Sequence, residues 1–229
     1  MGAAFVQRVS GFGFGIFIMT ILPYLMPSYG EATTLSGTLA AVTSIIIVWN
    51  MHKHIVWRKL LPILLTFLVV SWGAVQFVAL AGDGMLKRIL GAVLILASIY
   101  FFFFSERIHI RPTLPMQLSM GTLSGVMGGL FGMQGPPAVL YFLASAERKE
   151  EYMALVQCYF LIGNLVMTVY RAQSGFLTHT VCISWCYCLV AVLIGTWIGA
   201  KGFRMIPIKI LRKIIYAYMG VSGVIALCF

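Results

Sequence analysis

The sequence predicts an all-α membrane protein made of two four-segment repeats, each led by a broken or re-entrant helix. Three observations predict it: an apolar composition, eight apolar runs, and glycine-rich interruptions at matching places in the two halves. Of 229 residues, 61% are hydrophobic and 10% charged, and the mean hydropathy is +0.97. An ordinary soluble domain carries roughly 25% charged residues. Lipid accounts for the difference, because each crossing needs about 20 predominantly apolar residues. The formal charge of +10 does not point to nucleic acid, since Lys and Arg sit at the ends of apolar runs. Topology control places them there. The opening MGAAFVQRVSGFG has no basic n-region and no small-residue cleavage site, so the first run is expected to serve as its own insertion signal.

The runs fall at 5–29, 32–50, 60–81, 86–104, 114–146, 152–170, 181–200 and 208–229. Six have ordinary spanning length. The run 114–146 is too long for one crossing and is interrupted at GGLFGMQGPP (128–137). The run 5–29 is interrupted at SGFGFG (10–15), then by Pro23 and Pro27. Backbone broken in this way cannot face lipid, where its N–H and C=O groups have no partners, so both breaks must line a cavity or lie buried in protein.

The halves echo one another. An offset of 119 places Phe12-Gly13 on Phe131-Gly132 and Glu31 on Glu150; an offset of 125 places Trp72 on Trp197 and LKRI (86–89) on LRKI (211–214). The expected division is therefore 1–104 and 105–229. Charge chooses the orientation of the halves. If every run crosses, Lys and Arg divide almost evenly between the two sides. If runs one and five dip in and return, all but Arg8, Lys87, Arg88 and Arg171 of the sixteen fall on one side. The positive-inside rule prefers the second arrangement. It makes the halves inverted, with both termini outside and run five split into two arms of about 15 residues, each reaching the bilayer middle.

GTLSGVMGGLFGMQGPPAVLYFL (121–143), the acidic helix start EEYMALVQ (150–157) and the weaker GFGFG (11–15) resemble the sulfite exporter TauE/SafE family over nearly the whole chain. Family members often carry three glycines after a Phe-Gly-x element, whereas here Met133-Gln134-Gly135-Pro136-Pro137 and Phe14-Gly15-Ile16 occupy those places. The resemblance implies a multi-pass permease of the bacterial inner membrane that moves sulfite, sulfoacetate or related organosulfur anions, usually outward.

The residues themselves point to an anion. A broken helix leaves N–H groups unpaired at the start of its second half, and these attract negative charge. Gly132, Met133, Gln134 and Gly135 are the expected cradle, with Gly11, Gly13 and Gly15 as its counterpart. Pro136 and Pro137 suit the first turn of the returning helix. Close helix packing is the ordinary alternative role for these glycines. Gln157 and Asn164, two turns apart, share a helix face, and Thr38 takes the place of Gln157 in the other half. They are expected to hold the anion or to hydrogen-bond between helices. Ser10, Ser124 and Gln76 are weaker candidates. Arg8 and Arg171 either draw the anion or snorkel to the headgroups. Glu31, Glu150 and Glu151 read as first-turn capping acids, and the histidines as loop residues.

Several classes are set aside. No paired carboxylates, His cluster or triad lies within a span, so an intramembrane enzyme is not expected. No nearby His or carboxylate completes a ligand set with Cys182, Cys186 and Cys188, so they read as small buried thiols rather than metal ligands, and no cofactor is expected. The expected partners are a small anion and the lipid bilayer, with a homodimer as a further assembly. Alternating-access export is the leading expectation; a passive anion channel and an importer remain open.

Overall fold

A computed structural model describes residues 1–103, 112–202, 220–221 and 224. The eighth run (208–229), with its LRKI element and Cys228, lies outside the described residues, as does His109. Among the described residues there are ten α-helices: α1 (Gly2–Ser10), α2 (Phe14–Ile18), α3 (Leu22–Leu25), α4 (Tyr29–Met51), α5 (Trp57–Leu80), α6 (Asp83–Phe103), α7 (Leu114–Phe131), α8 (Gly135–Ser145), α9 (Lys149–Gln173) and α10 (His179–Gly202). Four helical stretches are long and apolar enough to cross a membrane: Tyr29–His54, Trp57–Leu80, Lys149–Gln173 and His179–Ala200. They coincide with the unbroken runs at 32–50, 60–81, 152–170 and 181–200.

The two unusual runs are broken where the glycines stand. Gly11 (φ 83°) and Gly13 (φ 97°) bracket the first break, and Gly132 (φ 66°) ends α7 in the left-handed conformation. A side chain there would press its Cβ against the backbone, which is why glycine holds these positions. The arms of the second break are unequal, 18 residues in α7 and 11 in α8, rather than the equal arms expected.

Both broken segments return to the end they left. Gln117 Nε2, near the start of α7, donates to the Lys59 carbonyl (3.3 Å), and Lys59 Nζ donates to the carbonyl of Ser145 at the end of α8 (2.8 Å). One residue of α5 thus meets both ends of the α7–α8 hairpin. Lys59 also pairs with Glu151 (2.8 Å), tying this end to the start of α9. In the first segment, a Cβ on Gly2 would lie 2.9 Å from the Phe17 ring, so α1 and α2 lie side by side.

Small residues let the helices approach closely. Gly121, Gly125 and Gly129 form one row on α7, four apart. A Cβ there would come within 2.8, 3.0 and 2.9 Å of the carbonyls of Ile63, Phe67 and Ser71 on α5. This is the small-residue packing that replaces hydrophobic driving force between helices in lipid. Gly195 and Gly199 do the same for α10 against Met1, Phe5 and Arg8 of α1. These five glycines outside the breaks therefore have the packing role. Ser28 caps α4 by accepting from the Glu31 N–H (3.2 Å), and of the first-turn acids Glu151 accepts from the Glu147 N–H (3.1 Å).

The cysteine expectation is corrected in part. Cys158 is buried, but Cys182 and Cys186 are exposed on the outer face of α10. That face carries exposed Ile183, Tyr187, Val190 and Ile194 as well. An apolar surface of this kind suits lipid, so the thiols need no protein around them. No group of His, Cys, Asp or Glu suited to a metal occurs among the described residues.

Candidate functional site

The two breaks meet. A Cβ on Gly15 would run into the Gly132 carbonyl, so backbone touches backbone where the two interrupted segments cross. Beside this contact lies a cavity of about 30 Å³, lined by residues of both breaks and of α1, α4 and α9. Seven of the residues expected at the site line it: Gly13, Gly15, Gly132, Met133, Gln134, Gly135 and Asn164. Gln7, Phe14, Ile16, Ala40 and Phe160 complete the wall. No lining residue is acidic or basic.

The expected cradle of free amides is only partly present. The N–H groups of Gly132 and Met133 are already used, donating to Gly128 O (3.0 Å) and Met127 O (3.3 Å) as they close the end of α7. Gln134 and Gly135 do not donate to a backbone carbonyl. Pro136 and Pro137 follow at once and have no N–H, so the start of α8 offers two amides and no more. The first turn of α2 (Phe14, Gly15, Ile16) adds N–H groups that have no intrahelical partner.

Side chains brace the second break from behind. Tyr159 donates to Ser124 Oγ (2.7 Å), and Ser124 Oγ donates to the Gln134 carbonyl. Gln134 lays its own side chain along α9, with Nε2 on the Phe160 carbonyl (3.4 Å). Gly163 makes room for it, since a Cβ there would lie 2.5 Å from Gln134 Oε1. Ser124 is therefore a support for the loop rather than a lining residue.

The first break is held by a polar chain that the sequence showed only at one end. Gln157 Nε2 donates to the Gly11 carbonyl (2.6 Å). Gln157 Oε1 accepts from Ser44 Oγ (3.0 Å) and from Gln7 Nε2 (3.1 Å), and Gln7 Nε2 also reaches Ser44 Oγ (3.1 Å). All three side chains are buried. Gln157 and Gly11 thus stand one bond behind the cavity wall, and Gln7 is in it. Gln7 is not among the residues expected at the site. The available signal was a lone carboxamide in an apolar helix, one turn before Gly11.

Gln157, Asn164 and Arg171 step by seven along α9 and form one polar stripe. Arg171 does not snorkel: it is 1% exposed and turns inward. Its Nη1 donates to Thr33 O (2.8 Å) and its Nη2 to Gly128 O (3.0 Å). The second contact sits on the last turns of α7, where the helix dipole favours a cation. Among the described residues, Arg171 meets no carboxylate. Gly37 of α4 leaves space above it; a Cβ there would lie 3.1 Å from Arg171 Nη1 and 3.4 Å from Asn164 Oδ1. Arg171 is thus one side chain removed from the cavity.

Two expected residues lie elsewhere. Thr38 donates to Thr34 O and Leu35 O (3.0 Å each) within its own helix and faces an apolar groove with Leu165, Val181 and Trp185. A helical Thr hydroxyl finds a carbonyl one turn back, which removes the need for a partner across the site. Arg8 packs its stem against Gly199 of α10, away from the cavity.

A bundle of helices long and apolar enough to cross a membrane, packed around two touching backbone breaks with polar side chains gathered beside them, defines an integral membrane protein. The particular family follows from comparison: the chain matches the sulfite exporter TauE/SafE family over residues 1–225 and belongs to it. A relative from Cupriavidus necator, named "Probable sulfite/organosulfonate exporter TauE", is 24% identical over 207 residues, covering 86% of this chain and 78% of that protein. No solved structure matches the chain.

Proposed function

We propose that this protein exports a small sulfur oxyanion or organosulfonate across the bacterial inner membrane by alternating access, binding it where the two breaks meet. The observation that carries the reading is the buried meeting point of Gly15 and Gly132, with a polar cavity free of acids and an unpaired guanidinium behind it. A buried cation without a carboxylate is costly and attracts an anion. The name of the Cupriavidus relative supports the choice of sulfur anions. The in-and-out course of both broken segments supports re-entrance, and with it an inverted pair of halves, 1–104 and 105–229.

The contact between the two breaks favours a carrier over an open pore. Gly15 abuts the Gly132 carbonyl, so loading an anion between the breaks requires them to separate. The membrane potential supplies about 2.3 kcal/mol per charge per 100 mV for an anion leaving the cell.

The test is efflux from anion-loaded vesicles holding the purified chain. Export should rise with an imposed potential and show counterflow. Efflux tied only to a pH gradient, or lacking saturation, rejects the proposed drive or the carrier. Arg171→Gln should reduce anion binding by tenfold or more, equivalent to about 1.4 kcal/mol; unchanged binding removes Arg171 from the site.

A further inference from the structure

The chain of carboxamides behind the first break fixes its own polarity. The Gly11 carbonyl can only accept, so Gln157 must present its NH2 to it. That turns Gln157 Oε1 toward Gln7 and Ser44. Gln7 must then present its NH2 as well, since two amide oxygens do not pair. Gln7 Oε1 is therefore left over, buried and without a donor. Neither carboxamide can be reversed without setting oxygen against oxygen at 2.6 or 3.1 Å. Gln7 is 1% exposed and lines the cavity between the breaks.

A bare acceptor is an odd fitting for an anion site. It repels a fully deprotonated oxyanion and rewards a solute that brings a hydrogen of its own. We propose that the site takes its solute as a monoanion carrying an O–H or N–H donor, and that Gln7 Oε1 accepts from that donor while the Gln134 and Gly135 amides meet the anionic oxygens. For sulfite, that form is hydrogensulfite. The inference rests on the anion-site reading above and adds the hydrogen-bonding character of the substrate to it. None of the cavity-lining residues titrates; Arg171 lies behind Asn164, Arg8 faces α10, and Glu31 lies in the first turn of α4. The discrimination belongs to the solute's hydrogen and not to a protein proton.

Two permanently ionised monoanions of nearly equal size test this: sulfamate, which carries N–H, and methanesulfonate, which carries C–H in the same place. Their affinities for the purified full chain are measured by calorimetry at one pH. Sulfamate should bind about tenfold tighter, near 1.4 kcal/mol. Gln7→Met, which keeps the length and removes the acceptor, should bring the ratio close to one. Equal affinities for the unaltered protein overturn the proposal, as does a preference that survives in Gln7→Met. If the variant does not fold or binds neither anion, the ratio on the unaltered protein decides. Binding of neither anion by the unaltered protein is a different failure: it removes the anion site itself, and this inference with it.

Discussion

The two breaks occupy corresponding places in the chain yet are built differently. The first has two left-handed glycines, Gly11 and Gly13, followed by a five-residue helix and a four-residue one. The second has one left-handed glycine, Gly132, followed by an 11-residue helix begun by two prolines. The first has its Gly11 carbonyl bonded by Gln157 of the distant α9, which Gln7 of α1 and Ser44 of α4 set in place. The second has its Gln134 carbonyl bonded by Ser124 of its own approach helix, with Tyr159 and Arg171 of α9 behind. A turn whose carbonyl is held by a distant helix and a turn whose carbonyl is held by its own approach helix reach the same cavity. The first brings an acceptor to it, and the second brings amides.

Substitutions can break this comparison, beginning where the two turns touch. Gly15→Val places a side chain against the Gly132 carbonyl, with no flexible group to yield. It should destabilise the chain by about 3 kcal/mol or more, seen as loss of the folded species in a detergent melt. Gly135→Ala, across the same cavity, meets only ordinary contacts at 3.4 Å. It should change the melt little, and an equal effect of both would refute the asymmetry. Gln157→Leu strands the Gly11 carbonyl and leaves Gln7 Nε2 with Ser44 Oγ alone, at about 1–3 kcal/mol. Ser124→Ala removes one loop brace and should lower stability by about 1 kcal/mol. If Ser124→Ala proves the more damaging of these two, the first break is not the one that depends on distant helices. Thr38→Val closes the series: its hydroxyl bonds only its own helix, so stability and transport should stay within about 0.5 kcal/mol of the parent.

Much of this was legible in the sequence because lipid leaves few choices. Unbroken apolar runs became helices, and glycine clusters inside overlong runs became turns. The seven-residue spacing of Gln157 and Asn164 put them on one face, and continuing it by seven more reaches Arg171. What was not legible depended on partners remote in the chain. The Gly132 and Met133 amides looked free until the closing turn of α7 took them. Arg171 looked like a residue of the membrane surface because its carbonyl partners, Thr33 and Gly128, are 138 and 43 positions away. Gln7 had no local pattern at all; only the fold shows that Gln157 orients it. Thr38 lies apart from the cavity because a repeat offset aligns positions, not the directions in which their hydroxyls turn.

The nested glycine face between α5 and α7 constrains how such a machine moves. Helices seated backbone to backbone along three successive turns cannot roll or slide past one another without collision. In the alternating access proposed above they form the stator, and α8 goes with them because Lys59 grips its far end. On that proposal, displacement falls on the other side of the cavity, at the seam where Gly15 abuts Gly132. A cross-link stitching α5 to α7 should leave turnover intact, whereas one clamping that seam should stop it.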